Sequence, residues 1–309
     1  MILRMIARMT KTQTMAFGAA LISCMFWAGN FVMARGVHEW VMPFTLSFWR
    51  WLVALIVLLP YGMPHVIKQF PIIRQHWKYF ICMGFISVCA FNSLIYTAAH
   101  YTTTHHITLI SATSPIWTLV IAGVIGLERM SRYKIGGAAC ALLGALVIIC
   151  NGDIWSIGAL EWNKGDLIIV VSAVIWAVYS VGLQYKPKGI SMRCQLTSFI
   201  IVGLVFLVPC YSWELWRGYD TPFNMKAWIA YLYVGIFGSV VAWFLWNYAI
   251  QTIGSVKSGL VYYTIPAFSA VLAVILLGEP LEPYHFYGFA LVVAGIIISN
   301  LRKLGIVRR

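Results

Sequence analysis

The chain has 309 residues, of which 61% are hydrophobic and 10% charged, and its mean hydropathy is +0.83. A soluble core of this length needs no such apolar surface and water would not tolerate it, so a soluble fold is excluded and an integral membrane protein is expected. The net charge of +13 would suit a polyanion partner only if the basic residues shared one face. They lie instead in short clusters between apolar runs.

Ten runs reach the roughly 20 apolar residues that cross a hydrocarbon core about 30 Å thick. In chain order they are 15–34, 43–60, 78–98, 107–126, 134–150, 167–184, 195–212, 227–249, 259–278 and 284–301. The first is too long for a signal-peptide core and lacks a small-residue cleavage site, so it is kept as a span. The second holds Arg50 and the seventh starts on polar residues. With the N-terminus in the cytoplasm, 17 Lys and Arg fall on the inner side and 4 (Arg35, Lys164, Arg217 and Lys226) on the outer side. This positive-inside asymmetry puts both termini in the cytoplasm and assigns the charge to orientation, with a share left for anionic lipid headgroups and no nucleic acid. The seven Cys lie mostly inside spans without a CxxC pair, so neither a disulfide framework nor a zinc site is indicated.

The chain is internally duplicated. Residues 98–147 and 249–298 align without a gap at an offset of 151, placing Pro115 on Pro266, Glu128 on Glu279, Gly137 on Gly288 and Gly144 on Gly295. Upstream, Trp27 falls on Trp176 and Pro60 on Pro209 at an offset of 149. The expected fold is therefore all-α, with ten transmembrane helices in two five-helix repeats, 1–150 and 151–309, joined by the outer loop 151–166. Five is odd, so the second repeat enters the membrane from the opposite side. Inverted repeats of this kind bind substrate near the midplane, at the repeat interface.

Candidate site residues follow from helical spacing. Ser23, Trp27 and Asn30 share one face of the first span, and Ser172, Trp176 and Tyr179 share the equivalent face of the sixth. Asn92 and Tyr96 in the third span match Trp243 and Asn247 in the eighth. Each is read either as cavity wall or as helix–helix glue. Pro115 and Pro266 each remove a backbone hydrogen bond and mark a candidate hinge, or else a static kink; just before them lie Thr108, Ser111 and Thr113 in one copy and Tyr262, Tyr263 and Thr264 in the other. Ser111, Tyr262 and Tyr263 join the cavity candidates. Arg50 is the one strong charge inside a span. It either snorkels to the surface or bonds helix-end carbonyls, or else it meets a substrate carboxylate. Glu128 and Glu279, at span ends, are expected to cap or brace loops. None of the nine acids lies mid-membrane. His100, His105 and His106, at the turn between spans three and four, are expected to be solvated loop residues, with sensing of outside pH as the alternative.

The segments FWAGNFVMARGV (26–37), SFWRWLVAL (47–55), 114–148, SAVIWAVYSVGLQY (172–185) and 265–298 together resemble the ten-helix EamA-type branch of the drug/metabolite transporter superfamily. The resemblance covers nearly the whole chain. It implies a bacterial inner-membrane transporter of small metabolites such as amino acids, and an Arg in the second span and a Glu after the fourth and ninth belong to the family pattern. The absence of a mid-membrane acid disfavours a proton-coupled drug exporter of the four-helix type, and a facilitative, channel-like permease remains the other alternative. Seven scattered His and the lack of G-x-S-x-G or H-E-x-x-H argue against an enzyme, so no cofactor or metal is expected. The expected partners are a small-molecule substrate and the bilayer, and a monomer is plausible. Aromatic or apolar amino acids are the expected cargo.

Overall fold

The structure is a computed structural model that describes residues 10–37, 40–102, 104–128, 130–159, 161–277 and 282–300. Among these residues it is helical with no strand. Helix α1 runs Lys11–Val37 and α2 Pro43–Gln75; α3, Trp77–Gly84, continues through a π-helical stretch, Phe85–Ala90, into α4, Phe91–Ala98. Two residues separate α5 (Thr104–Ser111) from α6 (Ser114–Val124), and α7 spans Arg132–Ile149. After a short 3-10 turn come α8 (Lys164–Gly182), α9 (Met192–Trp216), α10 (Met225–Tyr233), a second π-helical stretch (Val234–Val241) and α11 (Ala242–Ile253). Two residues again separate α12 (Ser255–Tyr262) from α13 (Ile265–Leu277), and α14 covers Pro283–Asn300. Within the described residues, seven helical segments are long and apolar enough to cross a membrane: Pro43–Gln75, Trp77–Ala98, His106–Val124, Arg132–Ile149, Lys164–Tyr185, Met192–Trp216 and Met225–Ile253.

Three sequence expectations need correction. The run 43–60 does not end at Pro60: α2 continues through Pro60, Pro64 and Pro71 to Gln75. Its tail is held from outside, because Val66, Ile72 and Ile73 pack on the main core and the Gln69 amide accepts from the Ser191 N–H at 2.9 Å. Tertiary docking here outweighs the backbone hydrogen bonds lost at the prolines. The runs 107–126 and 259–278 are not continuous helices bent at Pro115 and Pro266. Each breaks at the two preceding residues, Ala112–Thr113 and Tyr263–Thr264, and the proline sits in the first turn of the next helix, where its missing N–H has no intrahelical partner to lose. At each break one carbonyl accepts from both the backbone N–H and the hydroxyl of the following Thr. Thr113 Oγ donates to the Ile110 carbonyl and Thr264 Oγ to the Val261 carbonyl, both at 2.7 Å.

Equivalent residues of the two halves make equivalent contacts with the other half. Ser23 Oγ donates to the Ala242 carbonyl at 2.9 Å, and its counterpart Ser172 Oγ donates to the Phe91 carbonyl at 3.3 Å. Gly84 faces Val202, and Gly235 faces the counterpart valine, Val53. In the pair α7–α14, Gly137 abuts the Gly295 backbone and Gly144 the Gly288 backbone, so the two helices run antiparallel with their backbones touching.

Helix ends are capped by side chains that read as loop residues in the sequence. Asn163 and Asp166 form a reciprocal capping box on α8, and Ser131, Ser191 and Asn224 cap α7, α9 and α10. Glu214, 2% exposed, reaches from α9 to the start of α2, where its carboxylate accepts from the Phe44 N–H (2.9 Å), the Thr45 N–H (2.7 Å) and Thr45 Oγ (2.9 Å). Glu214→Ala would orphan all three donors in a site closed to water, and is expected to cost about 2–4 kcal/mol. Glu214→Gln keeps one acceptor and is expected to cost less. Thermal unfolding in detergent checks the order; an Ala variant as stable as the parent would refute the cap.

Candidate binding cavity

Two indoles meet within the main apolar core. Trp27 of α1 and its counterpart Trp176 of α8 meet edge to face with ring centroids 5.2 Å apart. Trp243 and Trp246 of α11 and Tyr262 of α12 close around them, at 6.4, 5.1 and 6.2 Å from Trp27. The Trp27 indole N–H donates to the Gly238 carbonyl at 3.0 Å, within the second π-helical stretch. A wider π turn leaves carbonyls poorly matched to their own helix, and side chains from neighbouring helices can take them up.

Beside these rings is a cavity lined by Trp27, Asn30, Arg50, Phe91, Asn92, Ile95, Tyr96, Trp176, Trp243 and Tyr262. It thus brings together Trp27, Asn30, Asn92, Tyr96, Trp176, Trp243, Tyr262 and Arg50 of the sequence candidates. Helical spacing did not single out Phe91 or Ile95. Both lie on α4 beside residues that were singled out, and an apolar residue on an apolar helix carries no distinguishing signal. The cavity leaves about 40 Å³ to the centres of water molecules, room for a few waters at the ~10–15 Å³ each needs. That is narrow for an amino acid with a large side chain.

Arg50 does not snorkel and does not bond helix-end carbonyls. It is 1% exposed, and its Nε donates to Ser239 Oγ (3.0 Å) while Nη1 donates to Asn92 Oδ1 (3.0 Å) and the Tyr96 hydroxyl (2.7 Å). Its guanidinium carbon lies 5.1 Å from the Trp51 ring centroid. Two of these holders are themselves fixed by π-stretch carbonyls: Ser239 Oγ donates to the Val234 carbonyl at 2.8 Å, and Asn92 Nδ2 to the Ser87 carbonyl at 3.5 Å.

The remaining candidates sit elsewhere. Tyr179 and Asn247 bond each other (2.8 Å) beside Trp243 instead of lining the cavity. Around Lys186 a polar ladder joins five helical segments. Gln184 donates to Ser255 (2.6 Å), Lys186 to Gln251 (2.7 Å), Gln251 to Gln195 (3.0 Å) and Gln195 to the Tyr79 hydroxyl (3.0 Å). Ser111, Tyr263 and Pro266 line a second, smaller cavity that shares Tyr262 with the first. Pro115 packs near Gly259. Glu128 braces its loop through an ion pair with Lys134. Glu279 lies outside the described residues, as does the His105 side chain. His106 is not a solvated loop residue: it is buried, with Nδ1 2.9 Å from Asp166 Oδ1, and Thr102 donates to the same oxygen at 2.6 Å.

Against known proteins, residues 14–150 and 163–301 each match the model of the EamA-like transporter family. The uncharacterised transporter YyaM of Bacillus subtilis is 26% identical over 277 residues, covering 89% of this chain and 90% of the relative. A probable terminal-alkyne amino-acid exporter of Streptantibioticus cattleyicolor is 26% identical over 293 residues, covering 94% and 95%. A solved crystal structure superposes with a TM-score of 0.76 at 18% identity over 95% of this chain and 98% of that one, a likeness of fold alone. These matches point to transport and not to enzyme chemistry, and with its several apolar helices the chain is a multi-pass membrane protein. It belongs to the EamA-like transporter family.

Proposed function

We propose that the protein is a secondary transporter that exports small organic metabolites, amino acids among them, across an inner membrane by alternating access. Its ten transmembrane helices would form two inverted five-helix repeats, 1–150 and 151–309. One observation carries this reading: the cavity lies where the homologous Trp27 and Trp176 meet, and Tyr262, just before the second half's helix break, lines both it and the second cavity, to which the first half's broken helix contributes Ser111. Interrupted helices at matching positions of two repeats are a strong pointer to a transporter's binding site. The inversion is supported by reciprocity. Exchanging the halves turns the Gly137–Gly295 contact into Gly288–Gly144, which is the other contact of the same seam. An antiparallel pair of homologous helices has this property when a two-fold axis crosses it.

With both termini cytoplasmic, Asn30, Arg50 and Tyr96 lie towards the outside and the Gln184–Ser255, Lys186–Gln251 and Gln195–Tyr79 ladder seals the inside. The helix breaks before Pro115 and Pro266 are the proposed gates, one per repeat. An amino-acid cargo is supported by the aromatic and amide lining and by the name of the Streptantibioticus relative. Proteoliposome counterflow with a pooled metabolite panel, with and without a pH gradient, tests the reading. Saturable uptake accelerated by internal substrate is expected; flux linear in concentration without counterflow would make the protein a channel.

A further inference from the structure

Arg50 carries a permanent charge, is 1% exposed, and lines the cavity. Among the described residues every partner it has is neutral: Ser239, Asn92 and Tyr96 take Nε and Nη1, and Trp51 lies under the guanidinium. Among the described residues no carboxylate oxygen comes within 4 Å of it, and no acceptor engages Nη2. A buried cation compensated only by dipoles is costly, and an anion that enters the site relieves that cost.

We propose that Arg50 is the receptor for the carboxylate of the transported solute, and that the cargo are monocarboxylates, foremost zwitterionic α-amino acids with apolar side chains. This rests on the transporter reading above and narrows its substrate class. A guanidinium fork matches a carboxylate in geometry and charge. Among the described residues no second Lys or Arg lines the cavity, so the site lacks the charge for a phosphate ester or a dicarboxylate. The amino group also has a place. Asn30 lines the same cavity, and its buried Oδ1 has no hydrogen-bond partner, an acceptor ready for an ammonium N–H. The remaining walls, Phe91, Ile95, Trp176, Trp243 and Tyr262, offer apolar and aromatic surface to the side chain. Because Asn92 and Ser239 are tied to π-helical carbonyls of opposite halves, an anion on Arg50 bears on both halves at once. That is what a ligand needs in order to shift the balance between two conformations.

The test uses matched probes on the purified full-length protein: L-phenylalanine and L-leucine against their amides, which keep the ammonium and side chain but lose the anionic charge. Binding is read by thermal unfolding and tryptophan fluorescence in detergent, and flux by counterflow. In the parent protein the acids are expected to bind about 10- to 100-fold tighter than the amides, and Arg50→Gln is expected to erase that preference while Arg50→Lys keeps part of it. The acid–amide contrast needs no variant, so a misfolded Arg50→Gln cannot rescue the idea. Amides that bind as well as acids, a preference that persists in Arg50→Gln, or no binding of either acid at millimolar concentration would overturn it. Acids that bind without counterflow would leave the carboxylate site standing and remove the transporter reading; counterflow of acids and amides alike would do the reverse.

Discussion

Trp27→Ala is expected to cut counterflow at least about tenfold, the equivalent of about 1.4 kcal/mol, with Trp176→Ala close behind. Trp27 touches the rings of Trp176, Trp243, Trp246 and Tyr262 and holds the Gly238 carbonyl, so it joins α1 to α8, α11, α12 and the second π-helical stretch. Truncating a tryptophan that is 7% exposed also destabilises, by about 3–5 kcal/mol in a core that does not collapse. Two controls separate the effects. Trp27→Phe keeps an aromatic wall and loses only the N–H bond, so its flux should lie between parent and Ala. Flux normalised to protein that still elutes as a monodisperse species removes the folding loss. Full activity in both Ala variants would sink the cavity assignment.

The cavity was largely legible because several independent signals overlap in it. Trp27 and Trp176 stand on polar stripes that have no reason to face lipid, and the duplication singles them out twice. Asn92 and Tyr96 share a helix face at i, i+4, and both reach Arg50. What periodicity could not supply is the effect of the π-helical stretches. A π turn inserts about one residue, shifting the face of everything beyond it by roughly 100°. Ser239 lies within such a stretch, so its meeting with Arg50 has no trace in a 3.6-residue pattern. Asn247, which alignment with Tyr96 places in the cavity, instead bonds Tyr179, although Trp243 one turn earlier on the same helix does line the cavity, so helical spacing carries no signal for that choice. Arg50 itself was visible, but its partners decide its meaning, and they come from three different helical segments. Likewise Glu214 and Asp166 read as loop acids, because nothing in a sequence marks a carboxylate as buried until the helix ends it serves have been brought to it.

The glycine seam is expected to tolerate no side chain at all. A Cβ on Gly295 would lie 2.5 Å from both the Gly137 carbonyl oxygen and the Ala141 nitrogen, and one on Gly144 would lie 2.5 Å from the Gly288 carbonyl oxygen. These neighbours are backbone atoms, so no rotamer change relieves the clash and α7 and α14 must separate. Separation also exposes the close-packed apolar surface between them, which includes Ala141, Ala145 and Val292, all 0% exposed. Gly295→Val and Gly144→Val are therefore expected to cost about 3 kcal/mol or more, seen as a lowered unfolding temperature and loss of monodisperse protein. Gly136 is the internal control. It sits on the same helix as Gly137 but on an exposed face, where a Cβ would meet nothing within 4 Å. Gly136→Val should be tolerated apart from the modest helix-propensity difference between the two residues. Equal behaviour of Gly136→Val and Gly295→Val would refute backbone contact as the basis of the seam. The reciprocity of the two halves adds a sharper demand. Gly144 and Gly295 are counterparts in the duplication, so their Val variants should be impaired to a similar degree, although one lies in each half of the chain.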